Sequence, residues 1–235
     1  MNEAKHRFFC DDIDSGFLSE EESLHALRVL RLKMGELINI IDGNGRLCSA
    51  VIADENKKGL SFLIKENHVE SQPGFDIHIA IAPTKNLDRF AFFLEKVTEI
   101  GVSRITPLIT KNSERKELKV DKLRKNLISA IKQSGNLFLP LIDEPVSMKD
   151  FFETQKEVRF PKFIAHCYED KEKSELKHHI PADKKVVILI GPEGDFTTEE
   201  VNLAKQNNFL SVSLGESRLR TETAGIVACH TVHII

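Results

Sequence analysis

A chain of 235 residues can hold one domain or two, and 41% hydrophobic against 29% charged residues excludes a mainly disordered chain. No run approaches the ~18 consecutive apolar residues of a membrane span, and the opening MNEAKHRFFC has no apolar signal core. The net charge of −3 excludes a generic polyanion binder, yet residues 85–132 carry +6 between stretches of −4 at 1–70 and −4 at 133–235, an island suited to a local anionic partner. Cys10, Cys48, Cys167 and Cys229 stand far apart with no CxxC, which reads as reduced cytoplasmic thiols. No metal is expected either, since His230 and His233 have helical spacing but no third ligand.

In chain order, Ser19 and Glu22 form a capping-box pattern opening a helix through Leu24, Leu27 and Leu30, with a stop at 33–35. Residues 37–41 and 47–53 read as strands joined by the Asp42-Gly43-Asn44-Gly45 turn, and 59–66 as another strand. Short strands at close spacing predict a small β-barrel over 1–72, with the linker at Ser71-Gln72-Pro73-Gly74. Beyond it the pattern becomes α/β, over 73–235. Strands are expected at 77–82, 105–109, 163–165, 186–190 and 210–214. A helix over 86–101 buries Leu87, Phe90, Ala91, Leu94, Val97 and Thr98; a second over 120–135 buries Leu123, Leu127, Ala130 and Ile131. Phe151 and Phe152 fall on a short helix. A Thr197/Glu200 capping box opens a helix to about 207, and a last helix fills 221–235. Its apolar end is expected to be packed, within the chain or against a second subunit.

Two glycine-rich loops, IGPEGDF and LGESRLRTETAG, follow consecutive strands of a mostly parallel sheet, where ligands bind beyond the carboxyl ends. Glycine lets main-chain groups approach a ligand such as a nucleoside closely. Neither loop has the GxGxxG of dinucleotide sites or the Gly-Lys-Ser/Thr of nucleotide hydrolases.

These loops, together with His6-Arg7-Phe8-Phe9, the run 25–32, the run 95–102 and Gln133-Ser134 with Pro140, make the sequence similar to the RsmE-type SPOUT methyltransferases. Those enzymes methylate N3 of a uridine in small-subunit ribosomal RNA. The resemblance implies a PUA-like barrel, a SPOUT domain with a trefoil knot, S-adenosyl-L-methionine as cofactor, 16S ribosomal RNA or the small subunit as partner, and a homodimer. It departs at Lys132, where the family often has an acid, and at Asn136, where it often has Arg.

On this reading the donor pocket comprises Leu189, Ile190, Gly191, Pro192 and Gly194 from the first loop and His166 from the strand before it. Leu214, Gly215, Leu219, Arg220, Thr221 and Thr223 come from the second loop. Arg220 is expected to orient RNA or stabilise a uracil anion, with Glu222 as base or as an Arg partner. Arg7, Arg28, Arg31, Lys85, Arg89 and Arg115 are expected to meet phosphates, Arg28 and Arg31 from one helical face. A SPOUT enzyme with another RNA target and a non-catalytic RNA-binding protein both remain open alternatives.

Overall fold

A computed structural model of the chain describes residues 6–56, 59–170 and 173–235. The chain divides into two compact units: residues 1–72 with Ile128–Leu139, and 73–127 with 140–235.

In the first unit the strands β1 (Arg7–Phe9), β2 (Leu37–Ile41), β3 (Arg46–Asn56) and β4 (Gly59–Val69) form a sheet in that order. β1 runs parallel to β2, and the other pairs are antiparallel. The β2–β3 turn is set by Gly43 and Gly45 at φ 76° and 96°, and by Asp42 Oδ1, which accepts from the amides of Asn44 (2.7 Å) and Arg46 (3.1 Å). Strand alternation sends Ile38 and Ile40 into a core with Phe8, Cys48, Ala50, Leu60 and Phe62.

Helix α1 (Glu20–Leu24) is capped by Ser19 Oγ, which accepts from the Glu22 amide at 3.3 Å. The reciprocal half of the box does not form. The Glu22 carboxylate instead takes two hydrogen bonds from Lys132 Nζ, at 2.6 and 2.8 Å, with the ammonium 5.7 Å from the Phe8 ring. The sequence departure at Lys132 thus has its own carboxylate partner.

One π turn, His25–Val29, continues α1 and closes at Leu30, short of the expected stop. Arg31 follows in the left-handed region at φ 57°, so Arg28 and Arg31 do not share a helical face as expected. Ile131 and Leu137 join Phe9 and Ile41 in a second small core of this unit. The expected division counted 128–139 with the α/β part, because helical periodicity says nothing about which unit a helix end packs into.

The second unit holds β5 (Asp76–Ile81), β6 (Arg104–Ile109), β7 (Leu141–Ile142), β8 (Val146–Ser147), β9 (Lys162–Ala165), β10 (Ser174–Glu175), β11 (Lys185–Ile190) and β12 (Phe209–Ser213). All pairings are parallel, in the order β10-β12-β9-β11-β5-β6-β7 with β8 beside β6. β5 and β11 sit centrally and are buried on both faces, which is why they read as continuous apolar runs.

The helices are α2 (Leu87–Ile100), the first part of α3 (Val120–Ser134), α4 (Met148–Thr154), α5 (Thr198–Gln206) and α6 (Thr221–Ile234). Asn86 caps α2 by accepting from the Asp88 amide at 2.8 Å, and Gly101 ends it at φ 112°. Its buried stripe is Phe90, Phe93, Leu94, Val97 and Thr98; Leu87 and Ala91 lie at its margin and Phe92 faces outward. The Thr197/Glu200 capping box forms in full.

Within this single chain the end of α6 is packed only in part. His233 Nε2 lies 2.7 Å from the Gly101 carbonyl with its ring edge-on to Phe75, but Ile234 and Ile235 remain 63% and 58% exposed.

Candidate functional site

β9, β11 and β12 end side by side, with Ala165 in register with both Ile190 and Val212. The loops leaving them enclose a cavity of about 620 Å³, within the range of small-molecule sites. His166, Ile190, Gly191 and Pro192 line it from the first two strand ends. Leu214, Gly215, Leu219, Arg220 and Thr221 line it from the third strand end and the start of α6. The two glycine loops therefore meet in one site. Leu189, Gly194 and Thr223 do not line it: Leu189 is fully buried in the sheet core, Gly194 backs onto Asn112, and Thr223 lies in the first turn of α6.

The two cavity glycines have different causes. Gly215 sits at φ 122° with open space around it, so backbone conformation requires it. A Cβ on Gly191 would approach the Phe196 ring at 3.0 Å and the Phe196 amide at 3.2 Å, so close packing requires that one. The 191–196 loop is fixed by several anchors. Thr221 Oγ1 donates to the Gly191 carbonyl at 3.1 Å. Asp195, at φ 63°, accepts from the Cys167 amide through Oδ2 and from the Phe196 amide through Oδ1, both at 2.8 Å. Tyr168 Oη donates to the Phe196 carbonyl at 2.7 Å.

His166 is buried with Nε2 3.0 Å from Ser211 Oγ, while its buried Nδ1 has no partner among the described residues. Burial, reinforced by Lys173, pushes its pKa below the ordinary imidazole value, so the ring is neutral near pH 7. The rim mixes cations (Lys173, Arg218, Arg220) with carboxylates (Glu193, Asp195, Glu216).

Glu222 lies in the first turn of α6, buried and outside the cavity lining. Its Oε1 is 3.9 Å from Arg89 Nε, and its buried Oε2 has no partner among the described residues. The Arg it faces is thus Arg89. Lys85 pairs with Glu114 at 2.8 Å, its carbonyl accepts from Arg115 Nη2 at 3.0 Å, and its amide donates to Glu193 Oε1 at 3.0 Å. In the first unit Arg28 and Arg31 are exposed, whereas Arg7 is half-buried with an unpartnered Nε.

An RNA methyltransferase domain model matches residues 70–233, and an RNA methyltransferase PUA domain model matches 18–65. Ribosomal RNA small subunit methyltransferase E of Mesomycoplasma hyopneumoniae is 30% identical over 229 residues, spanning 94% of this chain and 96% of that one. The chain belongs to the ribosomal RNA small subunit methyltransferase E family. A crystal structure of a probable rRNA-methyltransferase from Porphyromonas gingivalis matches with TM-score 0.88 and 37% identity over 97% of both chains. A family member from Neisseria gonorrhoeae, solved bound to S-adenosyl methionine, matches with TM-score 0.85 and 25% identity over 97% of both chains.

Sequence reasoning missed Asp195 and Lys173, which line the methyltransferase cavity, and Asn112 and Tyr168, which brace its loop. Asp195 and Tyr168 brace the glycine loop, and Lys173 donates to the carbonyls of Tyr168 (2.6 Å) and His166 (3.2 Å). Only Asp195 carried a signal, since it stands inside the glycine motif at a position that takes positive φ.

Proposed function

We propose that the chain is an S-adenosylmethionine-dependent methyltransferase acting on N3 of a uridine in 16S ribosomal RNA of the small subunit. The cavity beyond β9, β11 and β12, built from both glycine loops in a chain of this family, carries the reading. The cavity fits the cofactor on two counts: its volume and a rim of both charge signs suited to an amino-acid zwitterion. The main chain at 190–192 and 214–215, with Leu214 and Leu219, would hold the adenosine part. When bound, S-adenosylmethionine supplies an electrophilic methyl group on a sulfonium.

The chain's own work is to position and to move a proton. Uracil N3 keeps its proton at neutral pH and is a poor nucleophile until that proton leaves. Arg220, exposed on the cavity rim, is suited to stabilising negative charge on the uracil carbonyls. Glu222, buried next to the cavity-lining Thr221, is the proposed proton acceptor or the partner of Arg89, which its Oε1 faces. Lys85, Arg89 and Arg115 in the second unit, and Arg7, Arg28 and Arg31 in the first, are the proposed phosphate contacts. The site would work in the cytoplasm, in a homodimer supported by exposed Phe92, Ile234 and Ile235. A trefoil-knotted course for the second unit is part of the same proposal.

The test is methyl transfer. With methyl-labelled donor and small-subunit particles or 16S RNA, label should be recovered as 3-methyluridine. Label on another nucleoside would overturn the target, and RNA retained without label would favour a binding protein.

A further inference from the structure

The β6–α3 connection at 110–115 reaches the 191–195 loop by two routes, one direct and one through Lys85. Asn112 Nδ2 donates to the carbonyls of Gly194 (3.2 Å) and Asp195 (3.0 Å). The second route runs through Lys85: Arg115 Nη2 holds its carbonyl, and its amide holds Glu193 Oε1. The connection is itself braced. Ser113 Oγ accepts from the Thr110 amide at 3.0 Å, and the Lys111 amide donates to Glu200 Oε1 at 2.8 Å. Glu200 Oε2 accepts from the Thr197 amide at 2.8 Å, so one carboxylate clamps the connection to the start of α5.

Gly194 gains a cause from the same contact. A Cβ there would lie 3.3 Å from the Asn112 Cβ, so the glycine makes room for Asn112 rather than for the cavity. The same short segment exposes cationic Lys111 and Lys116 within the +6 island. A phosphate backbone meeting those cations would bear on a segment whose next residues hold the cavity loop.

We infer that Asn112 is a positioning residue, tying the cofactor loop to the basic 111–116 segment so that RNA and donor each strengthen binding of the other. This rests on the function proposed above. Asn112 touches no reacting atom; it acts through the Gly194 and Asp195 carbonyls. Coupling between two ligands is reciprocal, so the same factor must appear whichever is added first. The Asn112 amide is exposed and gives its two N–H groups to two carbonyls, so removing it should weaken donor binding roughly three- to tenfold.

The experiment titrates S-adenosylmethionine into the full-length chain by calorimetry, with and without 16S RNA, for wild type, Asn112→Asp and Asn112→Ala. Asn112→Asp keeps the shape but sets an acceptor against two carbonyls. Wild type should bind donor several-fold more tightly with RNA present. Both variants should weaken donor binding, lose the RNA effect, and raise KM for donor with kcat little changed; a purely structural defect would instead lower kcat or the folded fraction. Melting curves for both variants close to wild type identify folded protein, and the less perturbed variant then decides the outcome. Unchanged donor affinity and an unchanged RNA effect in a folded variant overturn the inference. Absence of donor binding by wild type overturns instead the function on which it rests.

Discussion

His78 is a titratable ring in the middle of β5, buried at 7% exposure. Its Nε2 lies 2.7 Å from Thr106 Oγ1, and the Thr106 hydroxyl donates to Asp143, which Arg104 holds with bonds of 2.8 and 2.9 Å. The hydroxyl has one proton and gives it to Asp143, so Nε2 must carry the imidazole hydrogen. Burial first, then Arg104, pushes the pKa down to about 4 against the opposing pull of Asp143. The folded ring stays neutral while the unfolded one protonates near 6.5. Stability is therefore lost as pH falls below that value, by about 2 kcal/mol at pH 5. Urea unfolding at pH 7.5 and 5.0 should show this loss in wild type and a smaller one in His78→Gln; equal losses would contradict the assignment.

In the first turn of α6, Glu222→Gln should lower kcat about 10²-fold or more with donor affinity retained, if it is the proton acceptor. An unchanged kcat would leave Glu222 as the partner of Arg89 alone. Neither Glu222–Arg89 nor Lys132–Glu22 was legible in the sequence, because pairs more than a hundred residues apart leave no local pattern.

Among the elements, α6 shows how tightly the fold holds the site. A Cβ on Gly225 would meet the Phe93 ring at 2.5 Å and Ile81 Cδ1 at 2.9 Å, so α6 approaches β5 and α2 only because this residue is glycine. Gly225→Ala gains up to ~1 kcal/mol of helix propensity but overpacks a core by about 1–3 kcal/mol. Net destabilisation is expected, with Phe93→Leu in the same background restoring part of it. A Gly225→Ala variant as stable as wild type would show that Phe93 can move aside freely.

The elements that could be read from sequence are those with strong local signals: the apolar β11, the stripes of α2 and α3, and the complete Thr197/Glu200 cap. β7, β8 and β10 have two residues each, too few to show a period, and their pairing depends on partners elsewhere. The π turn and the left-handed Arg31 escaped for a related reason, since apolar spacing through Leu30 does not separate an α from a π turn. In the site, the glycine loops were legible as motifs. Their braces, Asn112 and Tyr168, were not, because each reaches across the fold to a main-chain atom.

For the molecule as a whole, the apolar residues left uncovered by the fold carry the proposed assembly. Phe92 at 49%, Ile234 at 63% and Ile235 at 58% exposure are large side chains on α2 and at the end of α6, two helices that pack together. Sedimentation velocity should give twice the 26.6 kDa chain mass, and Ile234→Glu with Ile235→Glu should shift it toward the monomer. A monomer at micromolar concentration in wild type would remove the dimer from the account.

In the proposed function, main-chain groups at the ends of β11 and β12 grip a sulfonium nucleoside. Calorimetric titration of S-adenosylmethionine into the purified chain tests it most directly. One site per chain is predicted, lost in Gly191→Val, whose side chain would collide with Phe196 and close the loop. A wild-type chain that gives no binding, or a Gly191→Val chain that binds as well as wild type, would contradict it.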